Sequence, residues 1–185
     1  MTEDAVDMQA GTDALLVVRA QLGERPALHE LVNRWHEPVS RYVRSMVGRS
    51  GAAQDVSQEA WAAALRALPR LEQPERFRPW LFTIVRRAVL NHLRDRYAEP
   101  AAAESTDAGS ADEVAAVLDR AQVAEGLAAM PAAERDVLTL FYLQDLALEE
   151  CAQVLAVPVG TVKSRLHRAR RMMRDQLVRK GYTHD

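Results

Sequence analysis

The chain has 185 residues, 48% of them hydrophobic, and a formal net charge of −2. That length allows one domain or two small ones, and no apolar run approaches the ~18 residues of a membrane span. A single cysteine, Cys151, rules out an internal disulfide and a cysteine-rich zinc site.

Few aromatics and abundant alanine favour helices over a sheet, so the expectation is an all-α chain. The acidic, polar start MTEDAVDMQAG is not a signal peptide, which predicts a cytoplasmic protein without membrane insertion. Residues 1–12 read as a disordered arm. A first helix is expected over Asp13 to Leu22, with Leu15, Leu16, Val18 and Leu22 apolar. A second covers about Pro26 to Val47, and its stripe includes Leu31, Trp35, Val39, Tyr42, Val43 and Met46. Pro38 falls within that stripe and should kink or split the helix.

A third helix, DVSQEAWAAALRAL, runs from Asp55 to Leu68. Asp55, Gln58, Glu59 and Trp61 include the groups most free to face a partner. After a polar loop over 71–77 comes a helix from about Pro79 to Tyr97. Trp80, Leu81, Ile84, Val85, Ala88 and Leu93 should turn inward, while Arg86, Arg87, Asn91, Arg94 and Arg96 offer donors outside. Residues 99–112, rich in Ala, Ser and acids, have no apolar period and read as a flexible acidic linker that lets its flanks move independently. Helix resumes from Asp112 to Ala129, and Pro131 opens another.

The last stretch carries the most information. LALEECAQVLAVPVGTVKSRLHRARRMMR reads as a short helix from Leu148 to Leu155, a turn at Pro158 and a longer helix from Val159 to about Arg179. Val162, Leu166, Ala169, Met173 and Leu177 make one apolar stripe. From Thr161 to Arg174 there are six bases and no acid. Such a helix can enter a major groove, with arginines on guanine edges or phosphates. Charge is also segregated. Residues 55–98 hold five acids against eight arginines, 99–125 seven acids against one arginine, and 130–180 six acids against nine bases. Two basic blocks around an acidic one suit two nucleic-acid contacts on one chain.

PVGTVKSRLHRAR closely resembles the second helix of region 4 in extracytoplasmic-function sigma factors, the small two-domain members of the sigma-70 family. The D-x-x-Q-E of Asp55, Gln58 and Glu59 resembles their region 2 motif, and PERFRPWLFTIVRRAVLNHLRDR their −10 segment. The resemblance implies region 2 over 13–98 and a helix-turn-helix region 4 over 113–180. It implies a promoter-recognition subunit, monomeric when free, without cofactor or metal, that binds core RNA polymerase and promoter DNA. Asp55, Gln58, Glu59 and Trp61 would meet the clamp of the largest polymerase subunit, with region 4 near the flap of the second-largest. Glu72, Gln73, Arg76, Arg86, Arg87, Asn91 and Arg94 would hold the melted −10 strand. Thr161, Lys163, Ser164, Arg165, Arg168 and Arg171 would read the −35 duplex. An anti-sigma factor is a further implied partner.

Departures from the family pattern are Arg87 for Asn, Asn91 for Asp, Met130 for Leu, Cys151 for Ile, Ala147 for the capping Ser and Ala156 for the turning Gly. The lost cap costs about 1 kcal/mol and the Cβ in a left-handed turn ~1–2 kcal/mol. A duplex-binding repressor would explain only the last stretch. An enzyme is disfavoured by scattered histidines (29, 36, 92, 167, 184) and the lack of a Ser/His/Asp arrangement or a Gly-rich phosphate loop.

Overall fold

The computed structural model of the chain describes residues 3–48, 51–98, 123 and 125–179. Every regular element among them is helical. Four long helices form the first bundle: α1 (Glu3–Gln21), α2 (Arg25–Val47), α3 (Gly51–Ala67) and α4 (Phe77–Ala98). Short 3-10 turns at Leu68–Arg70 and Pro74–Arg76 carry the chain from α3 to α4.

α1 begins at Glu3, so the expected arm is largely helix. α2 is not split at Pro38. Burial of Trp35, Val39, Tyr42 and Val43 on one side of the helix offsets the hydrogen bond the proline removes. Gly48, at φ 97°, ends it and donates its N–H to Arg44 O, a conformation that a Cβ would oppose.

The bundle core is aromatic at its centre. Trp35 meets Phe77 and Phe82 edge-on, each with centroids 6.1 Å apart, and Tyr42 meets Phe82 at 5.7 Å. Trp80, expected in the core, is half-buried beside Phe77 at 5.7 Å. On α1 the buried pair is Leu16 and Val17, whereas Leu15, Val18 and Leu22 are exposed.

The second unit comprises α5 (Ala132–Leu138), which runs on into a wider turn over Thr139–Leu143, then α6 (Leu148–Leu155) and α7 (Val159–Arg179). Its core joins Val137, Leu140, Leu146, Cys151, Val154, Val162, Leu166 and Ala169. Of the expected α7 stripe, Val162, Leu166 and Ala169 are buried; Met173 and Leu177 are half-covered. Ala156 adopts φ 54° and ψ 46°, the left-handed turn between α6 and α7. Ala147 begins α6 with no side-chain cap, and the Glu150 carboxylate accepts its N–H instead at 2.8 Å. The expected linker and most of the helix after it lie outside the described residues.

In this structure the two units lie against each other. α4 packs on α6, and α2 on α5 and the turn after it. The reason is polar as well as apolar. Asp136 on α5, only 3% exposed, accepts hydrogen bonds from Tyr42 Oη and Arg86 Nε, both at 2.7 Å. Each unit also lends an arginine to a helix end of the other. Arg78 at the start of α4 donates to Gln144 O and Asp145 O, both at 2.8 Å, where the 139–143 turn ends. Arg135 on α5 donates to Ser45 O and Met46 O near the end of α2, at 3.4 and 3.5 Å. Cations at helix C-termini meet the negative ends of both dipoles.

Candidate nucleic-acid interface

Three surfaces hold the residues singled out by sequence. The first lies on α3. Asp55, Gln58 and Glu59 are exposed there. Trp61 is half-buried against the core, and its Nε1 has no partner among the described residues. A groove of about 470 Å³ separates α2 from α3, and Gln58 and Trp61 line it together with His36, Ser40 and Arg44. Asp55 and Glu59 stand outside that groove. The face therefore offers carboxylates and an amide beside a tryptophan edge, a pattern suited to a polar protein partner.

The second surface is the outside of α4 with the loop before it. Arg87, Asn91 and Arg94 share one face, and Arg94 donates to Asn91 Oδ1 at 2.9 Å. Glu72, Gln73 and Arg76 are exposed on the preceding loop. Arg76 bonds Gln73 and reaches across to Gln153 of α6. Arg86 does not join this face. One residue step turns it by about 100° around a helix, and it bonds Asp136 instead.

The third surface is α7. Lys163, Ser164, Arg168 and Arg171 are exposed, while Thr161 and Arg165 are half-buried. Ser164 Oγ is turned back to Thr161 O at 3.0 Å. Arg168 is drawn to the buried Glu134 of α5 at 3.3 Å. On the opposite flank Arg170 donates to Tyr142 Oη at 2.6 Å and lies over the Phe141 and Tyr142 rings. The outermost ridge thus runs through Lys163, His167, Arg171 and Arg174. The helical spacing of His167 and Arg174 from Lys163 and Arg171 could have identified both in advance. Nothing in the sequence could have identified Tyr42, Arg78 or Asp136, whose roles depend on the meeting of the two units.

A short helix, a tight left-handed turn and a longer basic helix held on a compact apolar core define a helix-turn-helix unit of the kind that reads duplex DNA. Comparisons with known proteins make the assignment narrower. The family profile described as sigma-70 region 2 matches residues 31–99, and that described as sigma-70, region 4, matches residues 120–173. The sigma-E factor of Escherichia coli strain K12, an ECF RNA polymerase sigma factor, is 33% identical over 174 residues, covering 86% of this chain and 91% of that one. The RNA polymerase sigma-H factor of Pseudomonas aeruginosa is 33% identical over 173 residues, covering 85% and 90%. Among solved structures, CnrH in complex with the cytosolic domain of CnrY superposes with a TM-score of 0.69 at 30% identity, covering 92% of this chain and 99% of that one. The chain belongs to the extracytoplasmic-function group of the sigma-70 family, the RNA polymerase sigma factors that direct promoter-specific transcription initiation.

Proposed function

We propose that the three surfaces divide the work of one initiation factor. Residues 13–98 act as region 2 and 113–180 as region 4, with 99–112 the tether between them. The α3 face, through Asp55, Gln58, Glu59 and Trp61, docks on the clamp of core RNA polymerase. The loop residues Glu72, Gln73 and Arg76, with Arg86, Arg87, Asn91 and Arg94 of α4, hold the melted −10 strand. A basic track beside a loop is what a single strand requires. On α7, Thr161, Lys163, Ser164, Arg165, Arg168 and Arg171 meet the −35 duplex. The observation that carries this reading is the pairing of a helix-turn-helix with a second basic helix in a separate bundle, since a duplex-only regulator has no use for the latter. Tethering to polymerase makes each contact effectively intramolecular, so neither need be tight alone.

The protein works in the cytoplasm on polymerase and DNA and performs no catalysis itself. Among the described residues no helix is long and apolar enough to cross a membrane. An anti-sigma factor holds it inactive. Support comes from CnrH, whose solved structure is a complex with the cytosolic domain of CnrY.

Run-off transcription with purified core polymerase and a library of promoter sequences tests the reading. Transcripts that depend on the protein and share two sequence blocks are expected. Tight binding to duplex DNA without polymerase, and no dependent transcript, would instead make it a duplex-binding regulator.

A further inference from the structure

Asp136 occupies a seat built by the other unit, with donors that suit any carboxylate or phosphate. Two donors converge on its two oxygens: Tyr42 Oη on Oδ1 and Arg86 Nε on Oδ2, each at 2.7 Å. Both donors belong to the first bundle, and the carboxylate comes from the second unit. Among the described residues Arg86 has no ion pair with any acid of its own bundle. The Tyr42 ring is fully buried and set edge-on to Phe82, so its hydroxyl points from a fixed position. Burial, and next the Asp136 charge, raise the Tyr42 pKa well above its usual range, so the hydroxyl remains a donor at any working pH. A rigid hydroxyl donor beside a guanidinium recognises carboxylate and phosphate by the same charge-assisted hydrogen bonds.

We propose that Tyr42 Oη and Arg86 Nε form a phosphate seat of region 2, filled by a backbone phosphate of the melted promoter strand in the working complex and by the Asp136 carboxylate when the two units lie together. The proposal rests on the sigma-factor reading above and adds Tyr42 to its DNA-contacting residues. Geometry requires the two units to part. The −35 and −10 elements are some 25 base pairs apart, roughly 85 Å of duplex at 3.4 Å per pair. A compact chain of this length has a radius of gyration of about 16 Å. The closed arrangement therefore cannot touch both elements. Once α5 leaves α4, both donors lose their acceptor and turn to water, a place that a phosphate on the neighbouring strand takes through charge-assisted hydrogen bonds. Self-occupation by Asp136 also lowers the affinity of the free protein for stray single strands.

The test uses the full-length protein and a fluorescein-labelled, mixed-sequence 15-nucleotide single strand, because a phosphate contact is independent of sequence. Asp136→Ala is expected to tighten binding about tenfold by raising the fraction of open molecules, with circular dichroism to check the fold. Adding Tyr42→Phe or Arg86→Gln should cancel most of that gain. The Arg86→Gln addition should also make the log–log salt slope shallower by about 0.7, one phosphate on a single strand. A gain that survives both additions, or no gain at all in folded Asp136→Ala, overturns the seat.

A second measurement does not depend on that variant. Ser45 Oγ lies 3.4 Å from Thr139 Oγ1 across the same boundary. A Ser45→Cys/Thr139→Cys disulfide should lock the closed form and cut strand binding and run-off at least about tenfold, both recovering on reduction. An oxidised protein as active as the reduced one overturns the proposal. Run-off by the unaltered protein reports separately on the sigma-factor reading. With run-off intact and these variants silent, only the seat fails; without any run-off the reading itself fails, and the strand-binding results still decide the seat.

Discussion

Arg168 Nη1 lies 3.3 Å from Glu134 Oε1, so the α7 arginine expected to hold a guanine is tied in the free protein to a carboxylate that is itself buried. Arg168 is half-exposed and the pair is open to solvent and salt on one side, so the contact is a weak restraint. Glu134→Ala should release Arg168 and tighten binding of the holoenzyme to promoter duplex about threefold at low salt, with the gain shrinking as salt screens the pair. Filter binding at two ionic strengths measures this. Weaker binding would mean that Glu134 aims Arg168 at the DNA.

Arg78 is deeply committed to the boundary between the units. It is 5% exposed, spans two carbonyls and lies 5.7 Å over the Trp35 ring. Arg78→Ala should destabilise the protein by about 3 kcal/mol, because it removes charge-assisted hydrogen bonds and strands the carbonyls of Gln144 and Asp145. Arg78→Lys should recover only part of this, since an ammonium does not reproduce a planar fork. Urea unfolding of the three proteins decides the order.

Cys151 is buried, and its thiol faces Leu146 O at 3.7 Å. Burial, followed by the charge of Glu150, pushes its pKa up to about 12. The thiolate is the reactive form, so at pH 8 the folded protein should react with a disulfide reagent about 1,000-fold more slowly than the unfolded chain. Stopped-flow mixing with and without urea makes the comparison. Equal rates would show that α6 opens readily.

The turn motif carries two correctable weaknesses. Ala156 bears a Cβ in the left-handed conformation, and Ala147 opens α6 with no side-chain oxygen for the first amides. Ala156→Gly and Ala147→Ser should each stabilise the protein by about 1 kcal/mol. A melting temperature higher by ~3 °C per change is expected by calorimetry. The two sites flank opposite ends of α6, so their effects should be close to additive.

Local sequence was sufficient for α6, the Ala156 turn and the start of α7. Helix propensity, the 3.6-residue apolar period and the proline after the turn all act within a few residues of each other there. The same holds for the exposed faces of Asp55, Gln58 and Glu59 and of Arg87, Asn91 and Arg94, which follow from helix angle alone. α2 ended at Val47 as read, whereas Pro38 did not split it. Tertiary burial of Trp35, Val39, Tyr42 and Val43 outweighed a local penalty.

The sequence by itself determined an all-helical chain, two basic units and the polar and basic helix faces proposed to meet polymerase and DNA, because each depends on residue type and spacing along one helix. Only the tertiary structure decided which of those side chains are free. Arg86 and Arg168 carry the same charge as their neighbours on α4 and α7, yet each has an acid of α5 for a partner. Those partners are 50 and 34 residues away in sequence, and no periodicity reports on them. The pairing of Arg78 and Arg135 with helix ends in the opposite unit is invisible for the same reason. A helix C-terminus attracts a cation wherever one is brought, and it is the meeting of the two units that brings it.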